Sequence, residues 1–442
     1  MYKNEIIVAP ATALGGAIAV IRMSGEGSVA LCDRIFNGHK PLSEAKSHTI
    51  HYGTICDGER IVDDVVVAIF RAPHSYTGEE SVEISIHGSR YIAQEVIRLL
   101  CEQSARMAEA GEFSQRALVA GRIDLSQAEA VVDLIAAESH AAHAVASTQM
   151  RGGYSEKLEG LRGELLNITT LLELELDFSE EDVEFADRAK LRSMLEKTDG
   201  AVLRLMESFK VGNAIREGVA VAIVGRPNVG KSTLLNRLVG DDRAMVSDIA
   251  GTTRDTIEES VIIDDIKFRF VDTAGLHDTD DRLEQMGIER TERAIRQAQI
   301  VLYMTEADHH SFELPQLDDN QNLIVVANKM DLSAERTIDE AIYISARNGE
   351  GVDELRQALR ATVDTEGLYR GEVVVSNMRH FEALSKAHNS LQAALSALDN
   401  GIYEELLAED IRLAINSLAE ITGKITSEDI LKNVFSQFCI GK

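Results

Sequence analysis

Short apolar runs rich in β-branched residues open the chain and indicate strands separated by helices. Residues 6–9 and 16–22 are two such runs, and residues 82–86 alternate between apolar and polar, as in a strand with one buried face. A helical pattern follows at 90–101. The pattern predicts an α/β domain over residues 1–118.

Beyond residue 118 the apolar positions take the spacing of helices. An Ala-rich stretch, 126–149, is followed by apolar residues at steps of three and four over 158–172 and 191–209. The same spacing returns over 407–421. These segments predict amphipathic helices that pack against one another.

The helical spacing stops near residue 216 and resumes after residue 365. One domain can be inserted into another where the two junctions lie close together at a surface. We therefore predict a discontinuous helical domain, 119–215 and 366–442, with an inserted domain at 216–365. Two independent helical segments remain the alternative, because periodicity does not report which helices touch.

The inserted region opens with a buried strand, a glycine-rich loop and a helix. Residues 219–224 are apolar, and residues 225–232 fit the phosphate-loop pattern G-x-x-x-x-G-K-[ST]. Backbone N–H groups of such a loop wrap phosphates, and the helix N-terminus favours their negative charge. Lys231 would reach the outer phosphates, and the Ser232 hydroxyl would bind Mg²⁺.

Further motifs follow in the order of a guanine-nucleotide domain. Thr253 would bring a second hydroxyl to Mg²⁺, Asp272 a carboxylate to the metal shell, and Gly275 would meet the γ-phosphate. Asp331 can accept hydrogen bonds from N1–H and the exocyclic amine of guanine, whereas adenine presents the wrong edge. Residues 343–347 would cover the base from its far side. The predicted nucleotide-binding residues are Asn228, Val229, Gly230, Lys231, Ser232, Thr233, Ser247, Asp248, Ile249, Ala250, Gly251, Thr252, Thr253, Asp272, Thr273, Ala274, Gly275, Asn328, Lys329, Asp331, Ser345, Ala346 and Arg347.

These residues alone do not decide two parts of the hydrolytic mechanism, which are the group that positions the attacking water and the cation that stabilises the transition state. Leu276 stands where many GTPases carry a water-orienting Gln, so another group must position the water, and Glu284 is one candidate. The transition state also needs a cation. Arginine candidates are Arg226, Arg243 and Arg254, whereas Asn228 could instead hold a monovalent cation.

Composition is that of a soluble globular protein rather than a membrane or secreted one. The 442 residues contain 45% hydrophobic and 27% charged residues, with no apolar run of membrane-spanning length and no signal-peptide pattern. Four scattered cysteines, Cys32, Cys56, Cys101 and Cys439, indicate reduced thiols and predict a cytoplasmic location. The net charge of -28 argues against a broad basic surface for nucleic acid.

The combination of motifs resembles the MnmE (TrmE) family of tRNA-modification GTPases over the whole chain. The resemblance is carried by the phosphate loop, by Gly-Thr-Thr-Arg-Asp at 251–255 and Asp-Thr-Ala-Gly-Leu at 272–276, and by Thr-Gly-Glu-Glu-Ser-Val-Glu at 77–83. Gly-Glu-Phe-Ser-Gln-Arg-Ala at 111–117 and the terminal Cys-Ile-Gly-Lys add to it. It implies a tetrahydrofolate-binding-like N-terminal α/β domain, a helical domain and an inserted Ras-like GTPase domain.

The resemblance also implies partners and cofactors. Members form homodimers through their N-terminal domains and work with the FAD-containing MnmG, which uses NADH. Together they add an aminomethyl or carboxymethylaminomethyl group to C5 of the wobble uridine of certain tRNAs. The one-carbon donor would be a tetrahydrofolate derivative, either 5-formyl- or 5,10-methylene-tetrahydrofolate. Potassium would replace the arginine finger while the GTPase domains dimerise.

Matched by position, the resemblance implies roles for individual residues. The catalytic group would be Glu284, Lys231, Thr253 and Gly275, with Mg²⁺ on Ser232 and Thr253. Potassium would lie on Asn228, Ser247, Ile249 and Thr252, and folate on Arg22, Glu83, Arg122 and Lys442, with a further tail role for Cys439. Arg122, His277 and Ser89 depart from the residues that are frequent in the family at these positions.

Two other functions fit parts of the sequence. A ribosome-assembly GTPase would use the same switch but needs an RNA-binding appendage, which the acidic balance opposes. A nucleotide-gated scaffold would recruit a modifying enzyme without contributing folate. The folate residues Arg22 and Glu83 distinguish this second alternative from the function that the family resemblance implies.

Overall fold

The computed structural model describes most of the chain. It describes residues 5–177, 188–242, 259–271, 284–308, 314–318, 321–333, 336, 338–363, 373–400, 404–436, 438 and 441. For residues 175–177, 241–242, 284–290, 404, 428 and 429 it describes the backbone only. The chain forms two compact units, which are Met1–Val132 with Met150–Leu158 and Leu418–Lys442, and Asp133–Gln149 with Glu159–Ser417. The domain boundaries given above stay a prediction.

The first unit is built on a seven-stranded sheet. Its strands are β1 Ile7–Pro10, β2 Ile18–Ser24, β3 Phe36–Gly38, β4 Thr49–Asp57, β5 Arg60–Phe70, β6 Ser81–His87 and β7 Arg106–Met107. The order across the sheet is β3-β4-β5-β6-β2-β1-β7, with β1 and β7 parallel and all other neighbours antiparallel. The alternation predicted for residues 82–86 is present in β6, where Val82, Ile84 and Ile86 are buried and Glu83 and Ser85 between them are only half-buried.

Two helices, Ser28–Asp33 and Arg90–Glu102, pack on one face of this sheet, and the core lies between them and the strands. The helices that begin in the N-terminal part of the chain are α1 Ser28–Asp33, α2 Arg90–Glu102, α3 Glu112–Val119, α4 Leu125–Ala136, α5 His140–Met150 and α6 Gly153–Asp177, with a 3₁₀ turn at Leu42–Glu44. Val96 and Leu100 of α2 are buried against strand residues such as Ile21 and Ile84. A smaller cluster on the other face joins Ile7 to Phe113 of α3.

The Ala-rich stretch 126–149 forms two helices rather than one. Ser139 separates them: its hydroxyl accepts from Ala142 N at 3.1 Å, and its carbonyl accepts from His143 N at 3.0 Å. A serine side chain that satisfies a free N–H in this way starts a new helix. Composition alone favours an uninterrupted helix, so this break was not visible in the Ala content.

The second unit contains a six-stranded sheet with strands β8 Val219–Gly225, β9 Glu259–Ile263, β10 Ile266–Phe270, β11 Ile300–Glu306, β12 Asn322–Asn328 and β13 Ile342–Tyr343. The order across the sheet is β13-β12-β11-β8-β10-β9. All neighbouring strands are parallel except β10 and the edge strand β9, which are antiparallel. The remaining described helices of the chain are α7 Arg188–Glu217, α8 Lys231–Asp242, α9 Glu284–Gln297, α10 Val352–Ala361, α11 Met378–Asp399, α12 Glu404–Thr422 and α13 Glu428–Ser436. The last part of α12 and all of α13 belong to the first unit, and the others belong to the second. This arrangement is the Ras-like GTPase fold that the motifs predict.

Long helices pair beside this sheet. Phe209 of α7 stacks on Phe381 of α11 with ring centroids 4.7 Å apart, and Asp199 accepts hydrogen bonds from His388 and Gln392. The backbone of Val375, in the segment that precedes α11, donates from its N–H to Ser208 Oγ at 3.1 Å. The chain therefore returns to α7 after completing the six-stranded sheet.

Candidate functional site

The phosphate loop connects β8 to α8 in a backbone shape that few residues tolerate. Gly225, Asn228 and Gly230 all have positive φ, at 143°, 63° and 99°. A Cβ on Gly225 would lie 2.2 Å from the carbonyl oxygen of Met304 on the neighbouring strand. The glycine therefore permits both the turn and its close approach to β11.

Lys231 begins α8 and bends back over the loop. Its Nζ donates to the carbonyl oxygens of Gly225 at 2.8 Å and Arg226 at 2.9 Å. Burial lowers the pKa of Lys231 from its ordinary value, because desolvation disfavours the charged form. An anionic phosphate would relieve this penalty, so the lysine, the loop and the helix N-terminus together form an anion site.

Asn328 ties three nucleotide motifs together from a buried position. Its Nδ2 donates to the carbonyl oxygen of Val229 at 2.7 Å, and its Oδ1 accepts from the N–H of Ala346 at 3.0 Å. A Cβ on Gly230 would stand only 2.3 Å from Asn328 Nδ2. Both ends of the amide are thus engaged with protein, so Asn328 joins the phosphate loop to residues 345–347.

The other residues predicted to recognise guanine flank Asn328 at the ends of parallel strands. Lys329 has φ 65°, and its ammonium contacts the carboxylate of Glu306 at the end of β11. The N–H of Met330 donates to the carbonyl oxygen of Ile344 at 3.0 Å, which fixes the backbone leading to Asp331. Glu306 was not found from the sequence. The available signal was an acidic residue at the end of an apolar strand.

Several predicted site residues lie outside the described residues. They are Ser247, Asp248, Ile249, Ala250, Gly251, Thr252, Thr253, Asp272, Thr273, Ala274, Gly275, Cys439 and Lys442. Glu284 begins α9, and only its backbone is described. Their predicted roles therefore stay predictions.

A second candidate site lies on the first sheet and is centred on Arg22 of β2. Arg22 stands opposite Glu83 of β6, and its Nε and Nη2 contact Glu83 Oε1 at 2.9 and 2.8 Å. The side chains are 21% and 31% exposed, so the pair remains open to a ligand. The structure thus brings together two of the residues matched to folate binding.

Two aromatic rings that the sequence analysis missed face the same guanidinium. The Cζ of Arg22 lies 5.5 Å from the ring centroid of Tyr76 and 5.9 Å from that of Phe113. The hydroxyls of Tyr76 and Ser114 are 2.7 Å apart, and burial raises the pKa of Tyr76. Both aromatic residues lie in or beside quoted motifs, but only the folded sheet shows that they meet Arg22.

The end of the chain reaches this site as well. Arg22 Nη1 donates to the carbonyl oxygen of Gly441 at 3.5 Å, and a Cβ on Gly441 would lie 2.0 Å from the carbonyl oxygen of Pro10. Gly441 has φ 105°. Arg122 packs on Gly78, since a Cβ on that glycine would lie 3.3 Å from Arg122 Cγ. Gly441, next to the predicted folate residue Lys442, is therefore held beside Arg22.

Comparison with known proteins now decides the family. The family described as "GTP-binding protein TrmE N-terminus" matches residues 6–122, and the family described as "MnmE helical domain" matches residues 125–439. A relative from Bacteroides thetaiotaomicron is 47% identical, and one from Flavobacterium johnsoniae is 45% identical. Both matches cover 100% of this chain and 100% of the relative, and both relatives carry the name tRNA modification GTPase MnmE.

This chain belongs to the MnmE family. The resemblance drawn from the motifs is confirmed, and membership argues against the ribosome-assembly alternative. The G-domain of FeoB from Methanococcus jannaschii is 25% identical over 32% of this chain and 96% of its own, with a TM-score of 0.23, which is too low to bear on the assignment. Among the described residues, no helix is both long and apolar enough to span a bilayer.

Proposed function

We propose that this protein, a GTP hydrolase, uses a potassium-stimulated GTPase cycle to drive modification of the wobble uridine of certain tRNAs. In this proposal it works with an FAD-containing, NADH-dependent partner of the MnmG type. The modification is an aminomethyl or carboxymethylaminomethyl group on C5. The observation that carries the proposal is the full-length identity of 44–47% to relatives named tRNA modification GTPase MnmE.

In the nucleotide site, the described residues supply phosphate and base recognition. Lys231 and the N–H groups at the start of α8 would hold the outer phosphates, with Ser232 on Mg²⁺, which neutralises developing charge on the phosphates. Asp331 would select guanine, and Asn328 keeps its pocket in shape through the contacts to Val229 and Ala346. For hydrolysis, we propose that Thr253 and Asp272 serve the Mg²⁺ shell. Gly275 would meet the γ-phosphate, and Glu284 would orient the attacking water.

Potassium would take the place of an arginine finger in this cycle. Asn228 is exposed on the phosphate loop and has positive φ, so its side-chain oxygen is available beside the phosphates. Ser247, Ile249 and Thr252 are proposed as its other ligands. Paired GTPase domains would enclose the cation and close around the nucleotide.

In the N-terminal site, the residues present fit a tetrahydrofolate derivative. The Arg22–Glu83 pair offers both donors and acceptors for polar groups, and the rings of Tyr76 and Phe113 fit a flat heterocycle. Arg122 and Lys442 would add positive charge for the carboxylates of folate. When bound, the cofactor would supply the one-carbon unit; Arg22 and Glu83 would orient it.

The N-terminal domain is also proposed as the homodimer contact. Its sheet carries exposed apolar side chains at Ile18, Ile50 and Tyr52, which are 68%, 73% and 70% exposed. Tyr52 stands opposite Val66 on the adjacent strand, so the exposed residues extend across strands. Exposed apolar side chains on neighbouring strands, such as Tyr52 and Val66, are typical of a protein contact. We further propose a cytoplasmic location, where tRNA is used.

The test is GTP turnover in potassium and in sodium at matched ionic strength, over a range of protein concentrations. We expect strong potassium activation that rises with concentration, because the cation site closes only when two GTPase domains meet. Equal rates in both salts at every concentration would contradict potassium-assisted pairing. A parallel assay with tRNA and the flavoprotein partner should show wobble-uridine modification that needs a folate donor; modification without folate would favour the nucleotide-gated scaffold.

A further inference from the structure

Arg237 lies on α8, the helix that begins with the phosphate-binding residues Lys231 and Ser232. Its side chain is half-buried and extends to the loop that is predicted to cover the guanine base. There its Nη2 donates to the carbonyl oxygen of Arg347 at 3.2 Å. No nucleotide motif includes Arg237, and it was not among the predicted site residues.

The base loop approaches the guanidinium closely because of a glycine. Gly349 has φ 87°, and a Cβ at this position would lie 3.0 Å from Arg237 Nη2. The N–H of Gly349 donates to the carbonyl oxygen of Ser345 at 2.8 Å, and the N–H of Ser345 donates to the carbonyl oxygen of Glu350 at 2.9 Å. Arg237 therefore packs on a closed turn rather than on a loose segment.

The loop is held on its other side by Asn328. The Asn328 amide accepts from the N–H of Ala346, one residue before the carbonyl that accepts from Arg237. Successive backbone groups of the loop are thus fixed by two different elements, β12 and α8. A loop that is already ordered loses less conformational entropy when a ligand binds, so the free-energy cost of binding is lower.

We propose that Arg237 is a positioning residue that holds residues 345–347 in the guanine-binding conformation. The inference rests on the proposed role of this loop in covering the base. Without Arg237 the loop spends less time in the competent conformation, and the apparent dissociation constant rises by the inverse of that fraction. GDP and GTP should be affected alike, and the maximal hydrolysis rate should not change, because this is loss of uniform binding.

The experiment compares Arg237→Ala with the unaltered full-length protein, using fluorescent GDP and inorganic triphosphate as a competitor without a base. We expect the dissociation constant for GDP to rise by about 3- to 10-fold, in line with loss of one hydrogen bond. Competition by triphosphate should be unchanged. Arg237→Lys should restore part of the affinity, because an ammonium can still donate to one carbonyl oxygen.

Arg296→Ala is the matched control, since Arg296 pairs with Glu292 on the surface of the same domain. It should leave GDP affinity unchanged. Equal loss of GDP and triphosphate affinity in Arg237→Ala would show a general defect of the domain and overturn the inference, as would unchanged GDP affinity. If the unaltered protein fails to prefer GDP over ADP, the proposed guanine site itself fails and the inference with it, whatever the variants do.

Discussion

The nucleotide site and the N-terminal site are assembled from the sequence in different ways. The phosphate loop is one continuous segment in which strand, turn and helix follow each other, so its shape depends on local positive-φ residues. The Arg22 site instead joins residues as far apart as 419 positions, as in the contact between Arg22 and Gly441. A local motif can be read from its spacing, whereas a site built across a sheet requires the strand register.

The two sites also differ in what surrounds the positively charged side chain at their centre, which is Lys231 in the first and Arg22 in the second. Lys231 is directed at backbone carbonyl oxygens, and burial lowers its pKa. Arg22 is paired with a carboxylate and faced by aromatic rings. We expect the first site to depend mainly on its charge and the second on several cooperating contacts, and substitutions can test this difference.

The largest effect is expected from Lys231→Ala. Loss of the only ammonium described at the phosphate loop should lower GTP turnover by at least about 100-fold, as when a single transition-state contact is removed. Turnover under saturating GTP is the measurement. Binding of a folate derivative serves as the control and should be unchanged; turnover within a few-fold of the unaltered protein would contradict the role of Lys231.

Arg22→Ala should give the next largest effect, confined to the other site. It leaves the part-buried carboxylate of Glu83 without this cation and removes the group that faces Tyr76 and Phe113. We expect folate affinity to fall by about 10- to 100-fold, the range for hydrogen bonds to charged groups, while GTP turnover stays the same.

Isothermal titration with 5-formyltetrahydrofolate measures this loss. Arg60→Ala is a suitable control, because Arg60 pairs with Glu95 at the surface of the same domain. Unchanged folate affinity in the Arg22 variant would argue for a purely structural ion pair and would favour the scaffold alternative.

Gly441→Ala should have an intermediate effect and tests the long-range part of the Arg22 site. The added Cβ would meet Pro10 O at 2.0 Å, so the tail cannot keep its position. We expect folate affinity to fall by about 5- to 30-fold, since the strain of a left-handed residue is about 1–2 kcal/mol.

Gly15→Ala is the matched control for this strain. Gly15 has φ 106°, close to the 105° of Gly441, but a Cβ there would have no neighbour within 4 Å. Equal folate affinity in both variants would show that the contact of the tail with Pro10 does not contribute to the site.

Glu306→Gln should have the smallest effect. The Glu306–Lys329 pair is more than a third exposed on both sides, so solvent screens it. We expect GDP affinity to fall by about 2- to 5-fold at low salt and the difference to vanish at high salt. Glu292→Gln, in the surface pair with Arg296, should leave GDP affinity unchanged, and an effect of Glu306→Gln that persists at high salt would contradict a screened ion pair.

The sequence by itself determined the family, the fold classes and the assignment as a GTP hydrolase. It could do so because each nucleotide motif is short and continuous, and because a positive-φ glycine or a lysine at a helix start acts through its own neighbours. Apolar periodicity likewise predicted the strands and helices, since the buried face of each element repeats along the chain.

Only the tertiary structure decided which distant residues meet. Arg22 meets Tyr76, Phe113 and Gly441 because the fold brings segments that are distant in the sequence to the same strand. The local spacing of residues does not encode these contacts. The same holds for Glu306 and Arg237, which contact Lys329 and the carbonyl oxygen of Arg347 from outside every motif. Side-chain contacts between separate elements depend on how those elements pack, and a single sequence read in order does not contain that packing.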